Sequence, residues 1–176
     1  LIYSGGKTMT LFLCGFMGCG KTALSEQLSK KLSCDSVDMD DYIVEKAGMP
    51  IPEIFSKYGE KYFRELEEKA VLELRDRDGI IACGGGTMQN DINSENAKEK
   101  GEVIFIDQTF ETCYGRIKDD KNRPLVVNNS KNELEAIYNR RAEIYKKNSS
   151  ISIIPGDTPE ETADIVIAAL KEKGVF

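Results

Sequence analysis

Short apolar runs and longer helical stripes alternate along the chain. Thr10–Cys14 (TLFLC) is an apolar run that ends at a glycine-rich turn, and the segment beyond the turn carries Leu24, Leu28 and Leu32 on one helical face. A strand, a loop and a helix are predicted in that order. A second strand is expected at about Ser36–Asp38, then a polar helix over Asp41–Ala47 that Gly48 and Pro50 interrupt. Ile51, Ile54 and Phe55 predict a short helix before a turn at Tyr58 and Gly59, after which Phe63, Leu66, Ala70 and Leu74 stripe a helix over Glu60–Arg75.

Ile80–Cys83 reads as a strand running straight into Gly84, Gly85 and Gly86. A polar helix over Ile92–Lys100, a strand over Val103–Ile106 and a helix over Thr109–Lys118 follow. Lys118–Asn132 is charged and asparagine-rich with a single proline, so a mobile excursion over one face of the domain is expected there. Leu134–Lys147 returns to helix, Ile151–Ile154 supplies a last strand and Pro159–Lys173 a closing helix. Five short apolar strands separated mostly by helices predict an α/β, three-layer domain with a mainly parallel sheet.

Composition narrows the functional classes. At 176 residues, with 40% hydrophobic and 31% charged positions, the chain fits one globular domain over residues 1–176, and no run of 18 apolar residues offers a membrane-spanning helix. Thirty acidic against twenty-four basic residues give a net charge of -6, which argues against nucleic acid as a partner. The start shows no export signal, and Leu1–Lys7, without an initiating Met, read as a truncation remnant. Five cysteines without a CxxC pair or zinc spacing favour reduced thiols and a cytoplasmic location. The absence of histidine removes Ser-His-Asp and Cys-His catalysis, so a general base is most simply a carboxylate.

Residues 15–22, GFMGCGKT, complete the pattern G-x-x-x-x-G-K-T between a predicted strand and a predicted helix. Gly15, Gly18 and Gly20 let the backbone turn and aim N–H groups inward. The following helix adds its positive end to the same anion site, to which Cys19, Lys21, Thr22 and Ala23 belong. Lys21 can reach the outer phosphates of a nucleotide and Thr22 can coordinate magnesium. The competing reading is a glycine-rich turn without function. Downstream, Asp38 and Asp40 share one side if their segment is extended, whereas a strand end followed by an Asp helix cap is the plainer alternative.

Arg64 lies between Glu60 and Glu68, so i,i+4 ion pairs could account for it; a planar guanidinium can also bind a small carboxylate with two parallel bonds, alone or together with Arg141. The three glycines are either a tight turn or a place where a ligand ring approaches the backbone. Arg123, in the polar excursion, is either solvated surface or a lid arginine.

Taken together, GFMGCGKT at 15–22, DMD at 38–40, IFSKYGEKYFRELE at 54–67, GGG at 84–86, RPL at 123–125 and RRAEIY at 140–145 resemble the shikimate kinase family over nearly the whole chain. The resemblance implies a P-loop kinase fold with strand order 2-3-1-4-5, a mobile lid at about 118–132, and transfer of the γ-phosphate of ATP to the 3-hydroxyl of shikimate with Mg²⁺. It further implies that Asp38 supports the metal with Thr22, that Asp40 holds the acceptor hydroxyls and serves as base, and that Lys21 and Arg123 act in catalysis. Arg64, Gly84, Gly85, Gly86 and Arg141 then form the acceptor site, with Phe55 and Phe63 on its border and Glu67 orienting the arginines. Arg116 is implied as a nucleotide contact. No arginine follows Arg141, so the base would rest on Arg116, the backbone around Pro155 and apolar contacts. No obligate protein partner is evident and a monomer is expected. A gluconate-type kinase, an adenylate-type kinase and a non-catalytic ATP-binding domain are the alternative readings.

Overall fold

The computed structural model describes residues 9–121 and 123–175; Leu1–Lys7 lie outside them. Five parallel strands form one sheet: β1 (Thr10–Cys14), β2 (Asp35–Asp38), β3 (Gly79–Ala82), β4 (Gly101–Ile106) and β5 (Ile151–Ile153), in the spatial order β2-β3-β1-β4-β5. The central strand pairs Thr10 with Gly79 on one side and with Gly101 on the other. Every residue of β1 is buried, which requires both faces of the sheet to be covered.

Alternation along the strands sorts the core into two layers. Leu11, Leu13, Ile80, Ile104 and Ile106 face α1 (Lys21–Leu32), α5 (Phe110–Ile117) and α8 (Pro159–Glu172), meeting Leu24, Leu28, Ile117 and Val166. Phe12, Cys14, Ile81, Val103 and Phe105 face the other way, toward α2 (Met39–Ala47), α3 (Ile51–Leu74), α4 (Asp91–Lys98) and α7 (Lys131–Asn148). Ile43, Ile54, Val71 and Tyr145 fill that second layer.

Several features depart from the sequence reading. Helix α2 starts at Met39, because the Asp38 side chain caps it by accepting from the N–H groups of Asp40 and Asp41 at 2.9 and 3.3 Å. Asp38 and Asp40 therefore do not alternate along an extended segment; the cap reading is the correct one. The two helices expected around Gly59 are both present: α3 is two helical stretches that meet at a kink at Gly59, where φ is 81° and ψ 174°. A 3₁₀ turn at Thr87–Gln89 was not foreseen. Within the polar excursion, Pro124–Asn128 form a short helix, α6, entered through Arg123. Helix α7 also begins earlier than its apolar stripe, at a capping box in which Ser130 and Glu133 satisfy each other's backbone N–H groups.

Candidate active site

Parallel strands deliver their following loops to one edge of the sheet, and the candidate chemistry gathers there. The loop after β1 holds GFMGCGKT, Asp38 ends β2, the glycine run follows β3, Gln108 follows β4 and Pro155 follows β5. Together they border a cavity of about 470 Å³.

The phosphate-loop backbone is forced by its neighbours. Gly18 adopts φ +80°, and a Cβ there would lie 2.8 Å from the Cys113 carbonyl oxygen and 2.9 Å from Ile117 Cγ2, so α5 leaves room for glycine alone. Arg116, on the same helix, donates to the Gly18 carbonyl at 2.8 Å and so braces the loop from outside. Helices α2, α4, α5, α7 and α8 each receive a side-chain cap, but α1 begins at Gly20 with none and carries no acidic residue in its first turn. Its exposed N–H groups thus remain available to an anion. The Lys21 ammonium donates to the carbonyls of Gly15 and Phe16 at 2.9 and 3.2 Å, which folds it over the loop at the cavity wall.

Of the residues singled out in the sequence, Gly18, Cys19, Gly20, Lys21, Thr22 and Ala23 border the cavity. So do Asp38, Asp40, Gly84, Gly85, Arg116, Arg123 and Pro155. Gly15 sits beneath the loop, where a Cβ would strike Cys19 Sγ. Arg123 is exposed and paired with Asp120 at 2.8 Å.

A second group lies on the far side of the glycine run and outside that lining. The Arg64 guanidinium packs so tightly against Gly86 that a Cβ at 86 would overlap it, and Arg141 comes within 3.7 Å of a Cβ placed on Gly85. Arg64 keeps the anticipated partner Glu60 at 3.0 Å, but its second carboxylate is Glu67 at 2.6 Å and not Glu68. Glu67 is 1% exposed. Phe55 and Phe63 pack in a tilted pair with ring centroids 4.8 Å apart, and the Arg64 guanidinium carbon lies 5.6 Å from the Phe63 centroid.

Asp40 joins the two groups. Its Oδ1 is 2.7 Å from where a Gly84 Cβ would be, and Glu67 Oε1 is 3.2 Å from the same point. Burial first, then the charges of Asp38 and Glu67, push the Asp40 carboxyl up to about 6, with Lys21 opposing them. Burial likewise pushes the Cys113 thiol beneath the loop up to about 12, and Cys14 and Cys83 well above the usual thiol range. These cysteines are packing residues and not nucleophiles.

Two side chains that support the site were missed in the sequence. Thr87, fully buried, donates to Glu67 Oε1 at 2.7 Å, and buried Tyr145 donates to the Gly85 carbonyl. Thr87 follows the glycine run directly and Tyr145 lies one helical turn beyond Arg141; both positions were readable, but a lone hydroxyl carries no spacing signal.

A glycine loop shaped for phosphates, a carboxylate with raised proton affinity and arginines beyond it, all at the carboxyl edge of a parallel sheet, define a P-loop small-molecule kinase. The family model described as shikimate kinase matches residues 17–171. The shikimate kinase of Thermodesulfovibrio yellowstonii is 36% identical over 159 residues, covering 89% of this chain and 92% of that protein. The structure of the Acinetobacter baumannii shikimate kinase in complex with shikimate superposes with a TM-score of 0.86 at 30% identity, covering 94% of each chain. This chain belongs to the shikimate kinase family. A gluconokinase from Sinorhizobium meliloti, at 11% identity and a TM-score of 0.58 over 94% of this chain and 93% of its own, shares the fold alone.

Proposed function

We propose that this chain transfers the γ-phosphate of ATP to the 3-hydroxyl of shikimate, giving ADP and shikimate 3-phosphate. The observation that carries this reading is the position of Asp40. It shares a cavity with Lys21 and, over Gly84, converges on the same point as the carboxylate that holds Arg64. An acceptor whose own carboxylate meets Arg64 and Arg141 would then present a ring hydroxyl to Asp40. That hydroxyl oxygen attacks the γ-phosphorus, the bond to the β–γ bridging oxygen breaks, and the hydroxyl proton passes to Asp40. Lys21 and Arg123 supply positive charge to the transferring group.

Thr22 and Asp38 both border the cavity and offer a hydroxyl and a carboxylate, hard oxygen donors that suit Mg²⁺. Only Oδ1 of Asp38 serves the helix cap. Among the described residues no cluster of three or more carboxylate or thiol groups could cage a metal, so these two residues would share the ion with nucleotide phosphates. When bound, the ion would neutralise charge on the outer phosphates. The test of the whole reading is ADP release with ATP and Mg²⁺ in the presence of shikimate, quinate, gluconate or no acceptor. Shikimate-dependent release supports it, and equal release with gluconate overturns it.

Arg141→Ala should weaken acceptor binding by at least about 30-fold, the lower end of the cost of truncating one partner of a desolvated charge pair. Affinity for a nonhydrolysable ATP analogue should hold. Arg64→Ala should do the same while also lowering stability, because it strips buried Glu67 of its cation; Arg64→Lys should restore binding only in part, since lysine lacks the planar fork. Calorimetric titration of both ligands into each variant decides this.

Gly86→Ala displaces the arginine without removing it. Gly86 has φ -98°, which alanine adopts without strain, but the added methyl would occupy the Arg64 guanidinium position. Acceptor affinity should drop at least about tenfold through displacement of that charge, and the melting temperature should fall as well, because the displaced guanidinium no longer neutralises buried Glu67. A stable variant with undiminished acceptor affinity would show that Arg64 does not bind the acceptor from this position.

A further inference from the structure

Glu67 has two carboxylate oxygens and almost no contact with water, so its position depends on two donors. Arg64 bonds Oε2 at 2.6 Å, and Thr87 bonds Oε1 at 2.7 Å. Thr87 has a single hydroxyl proton, and its other close acceptor is the weakly accepting Met39 sulfur at 3.5 Å. The carboxylate is the stronger acceptor and takes the proton.

Thr87 is itself fixed. It is 0% exposed, it lies in the 3₁₀ turn that follows the glycine run, and its carbonyl accepts from the Asn93 side chain at 2.9 Å. Its Oγ1 is 3.3 Å from a Cβ built on Gly84, the same point that Asp40 and Glu67 approach. One hydroxyl therefore stands where the turn after β3, the acidic residue of α3 and the base-like carboxylate of α2 converge. A carboxylate held by Arg64 alone could rotate about its last torsion and carry the guanidinium with it. A second donor on the other oxygen restrains that rotation and, through the carboxylate, the guanidinium.

We propose that Thr87 is a positioning residue for acceptor recognition: by fixing Glu67, it holds the Arg64 guanidinium against Gly86 in the orientation that receives the acceptor's carboxylate. It touches neither reacting atom nor ligand and acts through Glu67. The proposal rests on the acceptor reading given above.

Thr87→Val keeps the shape of the side chain and removes the donor. Thr87→Ser keeps the donor. Binding of shikimate and of a nonhydrolysable ATP analogue is measured by calorimetry for the wild type, both variants, Glu67→Gln and the Glu67→Gln/Thr87→Val pair, alongside melting temperatures. The expected result is about a tenfold weaker shikimate Kd in Thr87→Val, the scale of a lost hydrogen bond to a charged group. The ATP-analogue Kd should not move and Thr87→Ser should restore most of the loss. In the Glu67→Gln background, adding Thr87→Val should cost much less than it does alone, because the two residues act in series. Equal losses for shikimate and nucleotide, no rescue by serine, or full additivity with Glu67→Gln would each overturn the proposal. Should Glu67→Gln fail to fold, the valine and serine variants still decide it. A wild-type protein that binds the nucleotide but not shikimate would instead refute the acceptor reading itself.

Discussion

Asp40→Asn should lower kcat by about 100-fold to 10,000-fold, the span associated with removing a positioned general base. Asparagine matches the aspartate in size, so Gly84 and the first turn of α2 keep their packing, but it can neither accept the hydroxyl proton nor carry the charge. The pH dependence is the sharper signature. Burial and the charges of Asp38 and Glu67 raise the Asp40 carboxyl to about 6. Below that pH the group is protonated and cannot act as a base; above it the group is ionised. In the wild type, kcat/KM for the acceptor should therefore rise with pH through about 6 and level off at neutrality, a limb that reports the free enzyme. In Asp40→Asn the limb should vanish along with most of the rate. A variant that keeps both, measured on folded protein with constant ionic strength from pH 5 to 9, would remove Asp40 from the chemistry.

Lys21→Ala should cost about 100-fold to 1000-fold in kcat, comparable to removing one preorganised donor from a developing oxyanion. Among the described residues the Lys21 ammonium bonds to the carbonyls of Gly15 and Phe16 and to the Cys19 sulfur, part-buried contacts within its own loop. Water can replace it at the carbonyls, so the fold should persist. Because Lys21 also opposes the rise in the Asp40 carboxyl, its loss should move the remaining acid limb to higher pH. Single-turnover rates and a pH profile on the alanine variant read both effects. A rate within a few-fold of wild type, or a limb that moves to lower pH, contradicts the placement of Lys21.

Strands were the most legible part of the sequence. TLFLC lies at the centre of the sheet and its run coincides with β1 at both ends, because a strand buried on both faces stays apolar apart from Thr10 at its start, whose hydroxyl donates to the Arg75 carbonyl. Helix starts were less legible. Met39 and Lys131 begin their helices before any apolar stripe appears, since Asp38 and Ser130 set those boundaries through side-chain caps. The phosphate loop was readable because its spacing is local, eight residues in one turn. The arrangement around Glu67 was not: Asp40, Arg64, Glu67, Gly84 and Thr87 meet only once three separate strands and helices pack. The family resemblance already implied that Glu67 orients the arginines; the physical reason that Glu67 and not Glu68 pairs with Arg64 is the face of α3 that turns toward the core.

Five loops from five strands border one cavity, and none of them retains its shape without the sheet behind it. Ligands bound there should couple tightly to global unfolding, each raising the apparent stability by RT ln(1 + [L]/Kd). A nucleotide at about 100 times its Kd would contribute roughly 2.7 kcal/mol, a large share of the 5–15 kcal/mol that holds an ordinary domain together. The lifetime of such a protein in the presence of proteases would then track its supply of substrate: a starved enzyme is cleared and a saturated one is kept.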